Sequence, residues 1–153
     1  MAPIPRPDLS DRPRSMTVAR QFEATPAALF EAWTTGFDLW FAQPGTLALV
    51  PEPGRPYFFY NREDWGRHPH YGRILSVARD APDTHVEMTW LTGNGDLVGT
   101  EGAETILRIN LVPDGEVTEL RLTHSGFASD ASLAGHEENW PLALDILAER
   151  LRA

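Results

Sequence analysis

THVEMTWLTGNGDLVGTEGAETILRINLVPDGEVTELRLTHS, residues 84–125, is the stretch whose reading decides the fold. Val86, Met88 and Trp90 alternate with His85, Glu87 and Thr89; Leu107, Ile109 and Leu111 alternate with Arg108 and Asn110; Leu120, Leu122 and His124 alternate with Glu119, Arg121 and Thr123. A period of two carries each apolar row to one side of an extended segment. The stretch therefore reads as three strands of a sheet with one dry face and one wet face. Gly93-Asn94-Gly95 and Asp114-Gly115 supply the turns, and strands joined this briefly are antiparallel neighbours.

Working outward, further strands are expected at 46–50, 56–61 and 70–78, set off by Pro53-Gly54 and Pro82-Asp83. Met16, Val18 and Phe22 repeat the period of two over 16–23, and Arg20 interrupts the inward row. Thr25 offers an N-cap oxygen and Pro26 a pre-set φ, so Leu29, Phe30 and Trp33 predict a short helix over 26–35. A second helical turn over Phe37–Ala42 precedes Pro44-Gly45. At the other end Trp140, Leu144, Leu147 and Leu151 form one stripe, with Ala143 beside it, predicting an amphipathic closing helix over 133–152. Pro141 is expected to kink it, after an irregular turn through Gly135. Residues 1–15, with four prolines, read as a disordered or loosely draped arm, leaving a single domain over 16–153.

The chain has 22 acidic and 13 basic residues in 153, a formal charge of −9, and no Lys. Such a field repels phosphate backbones and anionic headgroups, so neither nucleic acid nor a membrane is an expected partner. Without cysteine there is no thiolate nucleophile and no Cys-ligated metal. The opening residues lack the apolar run of a secretory signal, and a cytoplasmic location is the expectation.

Histidines carry most of the chemistry on offer. His136-Glu137 lacks the second imidazole of a zincin motif, because position 140 is Trp140. His68 and His70 flank Pro69, but with no assured third ligand they read as structural or solvated. No metal ligand and no cofactor is expected. His124 is either a core histidine bonded to a neighbour or a polar anchor at a cavity. Arg20, inward by alternation, must meet a carboxylate such as Asp38, Glu101 or Glu104, backbone carbonyls or water, in an internal ion pair or at the end of the barrel, or else face a ligand. The glycines at 93, 95, 99 and 102 make the connection ahead of the 103–112 strand permissive enough to gate an entrance.

Arg20-x-Phe22-x-Ala24-x-Pro26, Leu29-Phe30-x-Ala32-Trp33-Thr34, Trp40, Gly72-Arg73-Ile74, Thr89-Trp90, Leu122-Thr123-His124-Ser125-Gly126-Phe127 and His136-x-x-x-Trp140 occur in this order. Together they resemble the START/Bet v 1-like (SRPBCC) superfamily, and within it bacterial homologues of the C-terminal domain of activators of the Hsp90 ATPase. The resemblance spans residues 16 to 152. It implies an α+β helix-grip fold, in which a curved antiparallel sheet wraps a long C-terminal helix. It departs from the cochaperones at Thr35-Gly36-Phe37-Asp38, where an acidic-proline step is usual.

The resemblance implies a small hydrophobic ligand with a polar end, held in an internal cavity. A helix-grip sheet curves away from its helix, so some of the rings of Trp33, Phe37, Trp40, Phe59, Trp90 and Trp140 are expected to line a void. With Arg20, Tyr71, His124 and His136 they are the candidate ligand-binding residues. Alternatives are a cavity enzyme of the polyketide cyclase or hydrolase type, with His124 as base and Arg20 or Tyr71 steadying negative charge, and a chaperone-interaction module. The sequence leaves a homodimer open.

Overall fold

In the computed structural model, which describes residues 4–80, 82–92 and 99–152 (Trp65 by its backbone), the strands form one antiparallel sheet. They are β1 (Arg14–Phe22), β2 (Pro56–Tyr60), β3 (Pro69–Ala78), β4 (Thr84–Thr92), β5 (Thr105–Asp114) and β6 (Val117–Phe127). Their order is β1-β6-β5-β4-β3-β2, so the first strand closes against the last and the rest follow as a meander. Register aligns one inward row across five strands: Met16 faces His124, His124 faces Leu107, Leu107 faces Met88, and Met88 faces Ile74. The strand expected at 46–50 shrinks to a single bridge between Ala48 and Phe58. Pro44, Pro51 and Pro53 crowd that segment, and each lacks the N–H a ladder needs.

Helix α1 (Pro26–Ala32) begins as its sequence suggests, with Thr25 Oγ1 accepting from the Ala28 N–H at 3.1 Å. It stops short of residue 35 because the Gly36 N–H closes back on the Glu31 carbonyl at 2.8 Å. A 3-10 turn, Phe37–Leu39, follows, and Trp40 docks on α1 by donating its indole N–H to the Ala32 carbonyl at 2.7 Å.

Helix α2 (Asp130–Arg152) starts three residues before the expected point. Ser129 Oγ accepts from the Ser132 N–H at 3.1 Å, so the cap sits ahead of Asp130 and Gly135 lies inside the helix rather than in an irregular turn. Asp130 in the first turn and Arg150 and Arg152 in the last complement the helix dipole. Trp140, Ala143, Leu144 and Leu147 are the face it buries.

The outer face of β4 is not wet. His85, Glu87 and Thr89 are as buried as the apolar residues between them. Chain from the expected arm covers them: Arg6 pairs with Glu87, Arg12 donates to the Glu104 carbonyl at 3.2 Å, and Arg73 donates to the Pro5 carbonyl. Arg108 approaches Glu87 at 3.6 Å. Burial alone would raise the Glu87 pKa, but the Arg6 hydrogen bond and the two guanidinium charges outweigh it and hold the carboxyl below its usual range.

Candidate functional site

The ends of β3 and β4 and residues 132–146 of α2 surround a cleft of about 580 Å³, within the range of small-molecule sites. Phe41, Trp90 and Trp140 give it aromatic walls, and Leu142, Ala143 and Ile146 of α2 an aliphatic one. Its polar edge comprises Asn61, His68, His70, Thr92, Ser132, His136 and Asn139. Among the described residues no Arg, Lys, Asp or Glu lines it.

β3 delivers His70 to this wall. Alternation with Gly72 and Ile74 turns the imidazole inward, opposite Phe59 on β2, where the rings stack at 5.1 Å. Phe41 and Trp90 close around it at 5.3 and 5.0 Å. Gly72 is required by close approach, since a Cβ there would stand 2.4 Å from the Thr89 carbonyl oxygen. The Tyr57 hydroxyl donates to that carbonyl at 2.6 Å.

His70 is 7% exposed, and neither ring nitrogen has a hydrogen-bond partner. Burial, followed by repulsion from His68 and His136, lowers its pKa to about 3. The neutral ring retains one donor and one acceptor, each costing about 1–3 kcal/mol when buried and unsatisfied. The Nδ1 atom of His68 is also buried without a partner. His136 is half satisfied: Nδ1–H donates to the Ser132 carbonyl at 2.7 Å, which leaves Nε2 as a bare acceptor. Burial lowers its pKa as well, despite that bond.

His124 is the opposite case. The Thr105 hydroxyl donates to the Trp90 carbonyl at 2.5 Å, so it accepts from His124 Nε2–H at 2.7 Å. Nδ1 in turn accepts the Trp140 indole N–H at 3.0 Å. Both nitrogens are used, and burial drives the pKa well down. This chain fastens α2 to β4, β5 and β6 and fixes the Trp140 ring on the cleft wall.

Of the residues expected at a ligand, Trp90, His136 and Trp140 line the cleft. Trp33, Phe37, Trp40 and Phe59 form the fully buried layer behind it, with Trp33 5.9 Å from Trp140 and Phe37 6.4 Å from Trp90. His124 lies behind Trp140. Arg20 is not in the cleft. It pairs with Asp145 of α2 rather than with Asp38, Glu101 or Glu104, in a smaller polar hollow beside Leu151 and Arg152. Tyr71 is 41% exposed, because its place in β3 between inward His70 and Gly72 turns it outward.

The sequence reading missed Phe41 and treated His70 as structural or solvated, although the alternation that placed His124 inward applies equally to His70. Gly93 and Gly95 of the expected gate lie outside the described residues. Gly99 borders the cleft and is tied to α2 by Ser132 Oγ, which donates to its carbonyl. Among the described residues, no three of His, Asp and Glu gather in a way that could hold a metal ion, and no helix is long and apolar enough to cross a membrane.

Residues 23–152 match the family described as Activator of Hsp90 ATPase homolog 1-like protein. Among solved structures, the AHSA1 protein from Silicibacter pomeroyi is 24% identical with a TM-score of 0.72, over 91% of this chain and 98% of that one. A protein from Mesorhizobium loti is 22% identical with a TM-score of 0.72, over 91% and 97%. An HSP90 activator from Plasmodium falciparum is 16% identical with a TM-score of 0.59, over 82% and 86%. At these identities the likeness is one of fold. None of the curated proteins matches the chain in sequence.

Proposed function

Because the chain belongs to the Activator of Hsp90 ATPase homolog 1-like family, a helix-grip family, and opens its sheet and C-terminal helix into an aromatic-walled cleft, we propose that it binds a small hydrophobic molecule with a polar end there. The observation that carries this reading is His70, a buried imidazole without a hydrogen-bond partner on the wall of an apolar space of about 580 Å³. A group that costs stability when unpaired, set where a ligand would pair it, is the signature of a binding site. Trp90 and Trp140 would flank the apolar body, and His70 and His136 would meet the polar end.

A second reading, a cavity enzyme, draws support from His136. Its Nδ1–H is held by the Ser132 carbonyl, leaving Nε2 in the tautomer a general base requires. The binding reading needs fewer groups and is the one we adopt.

Native mass spectrometry of the freshly purified protein tests it. The expected spectrum contains a noncovalent adduct of roughly 150–500 Da, the size such a cleft holds, which disappears on denaturation. Protein that carries no adduct and also retains no added 4-phenylbenzyl alcohol would contradict the proposal.

A further inference from the structure

We infer that the cleft accepts ligands whose polar end is an uncharged hydroxyl and rejects the corresponding carboxylates. This rests on the binding proposal and adds to it the chemistry of the ligand's head. The first ground is what the wall lacks: among the described residues, neither Arg nor Lys lines the cleft. A carboxylate entering it would give up water and meet no cation. The chain's formal charge of −9 adds a repulsive field on the approach.

The second ground is the hydrogen-bonding complement. His136 presents Nε2, a bare acceptor, because its Nδ1–H is committed to Ser132. His70, in the cleft wall, carries one N–H and one lone pair, and neither is used within the protein. A single group that both donates and accepts meets the His136 acceptor and the His70 donor together, leaving only the His70 lone pair over. A hydroxyl does so, whereas an ionised carboxylate is acceptor-only and would set its lone pairs against those of the imidazoles. A carbonyl satisfies the His70 N–H but neither acceptor. The flat faces of Phe41, Trp90 and Trp140 suit an aromatic body behind that hydroxyl.

The test is isothermal titration of the full chain at pH 7.5 with three probes sharing one body: 4-phenylbenzyl alcohol, 4-phenylbenzoate and biphenyl. The alcohol should bind at least about tenfold more tightly than the benzoate and several-fold more tightly than biphenyl, in line with one or two net hydrogen bonds. In His70→Phe the alcohol should lose most of its advantage over biphenyl, keeping only what His136 supplies, while biphenyl itself binds as before. Benzoate binding as well as the alcohol would overturn the inference and leave the binding proposal standing. Failure of all three probes would overturn both. The wild-type comparison stands without the variant, so a poorly folded variant does not rescue the inference.

Discussion

His124 on β6 and His70 on β3 face the same interior, flank the same Trp90 and are almost equally buried, yet their surroundings treat them oppositely. His124 sits in a closed chain from the Trp140 indole through both its nitrogens to Thr105 and the Trp90 carbonyl. His70 is wedged among Phe41, Phe59 and Trp90 with no partner at either nitrogen. The first arrangement is a fastening that holds α2 against the sheet. The second costs folding free energy and leaves a donor and an acceptor unpaired in the wall of the cleft. Burial alone does not set the two histidines apart; hydrogen-bond satisfaction does.

Acid should strain both regions together. His70, His124 and His136 all have pKa values lowered by burial, so the unfolded chain takes up protons first as pH falls below its histidine pKa of about 6.5. Their contribution is complete above that value and is lost as pH falls toward the folded pKa, about 3 for His70. Each group can lose up to about 1.4 kcal/mol per pH unit inside the window. Urea unfolding should give a stability about 2–4 kcal/mol lower at pH 5.5 than at pH 7.5. A flat profile would show that these rings are not buried neutral.

Leucine substitutions separate the two regions at constant pH. His124→Leu strands the Trp140 indole N–H and should cost about 1–3 kcal/mol by chemical denaturation at pH 7.5. His70→Leu strands nothing, and its stability should stay within about 1 kcal/mol of wild type or exceed it. Equal losses in the two variants would abolish the distinction.

Much of this was legible in the sequence. Alternation in 84–125 gave the strands, Thr25-Pro26 the first cap, and the Trp140 stripe the buried face of α2. The clearest misses arose where a contact with distant chain overrides a local pattern. The outer residues of β4 are polar, so alternation reads them as wet, whereas distant chain covers them, Arg6 reaching Glu87 across 81 positions. Arg20 has an ion partner, but Asp145 lies 125 positions on, across a packing that no spacing rule encodes. The polar network that satisfies His124 and leaves His70 bare depends on which side chain faces which across three strands and a helix. That information resides in the register and not in any one segment.

Binding in the space beside His70 should be visible at the tryptophans that wall it. The most direct measurement is a two-dimensional NMR titration of the 15N-labelled protein with 4-phenylbenzyl alcohol, following the indole N–H signals of its five tryptophans. Saturable shifts are expected, largest at Trp90 and Trp140, with an affinity on the order of micromolar for a ligand of this size, and only small changes at Trp40, whose indole is held by Ala32. Signals at Trp90 and Trp140 that do not move at probe concentrations approaching its solubility would contradict binding there.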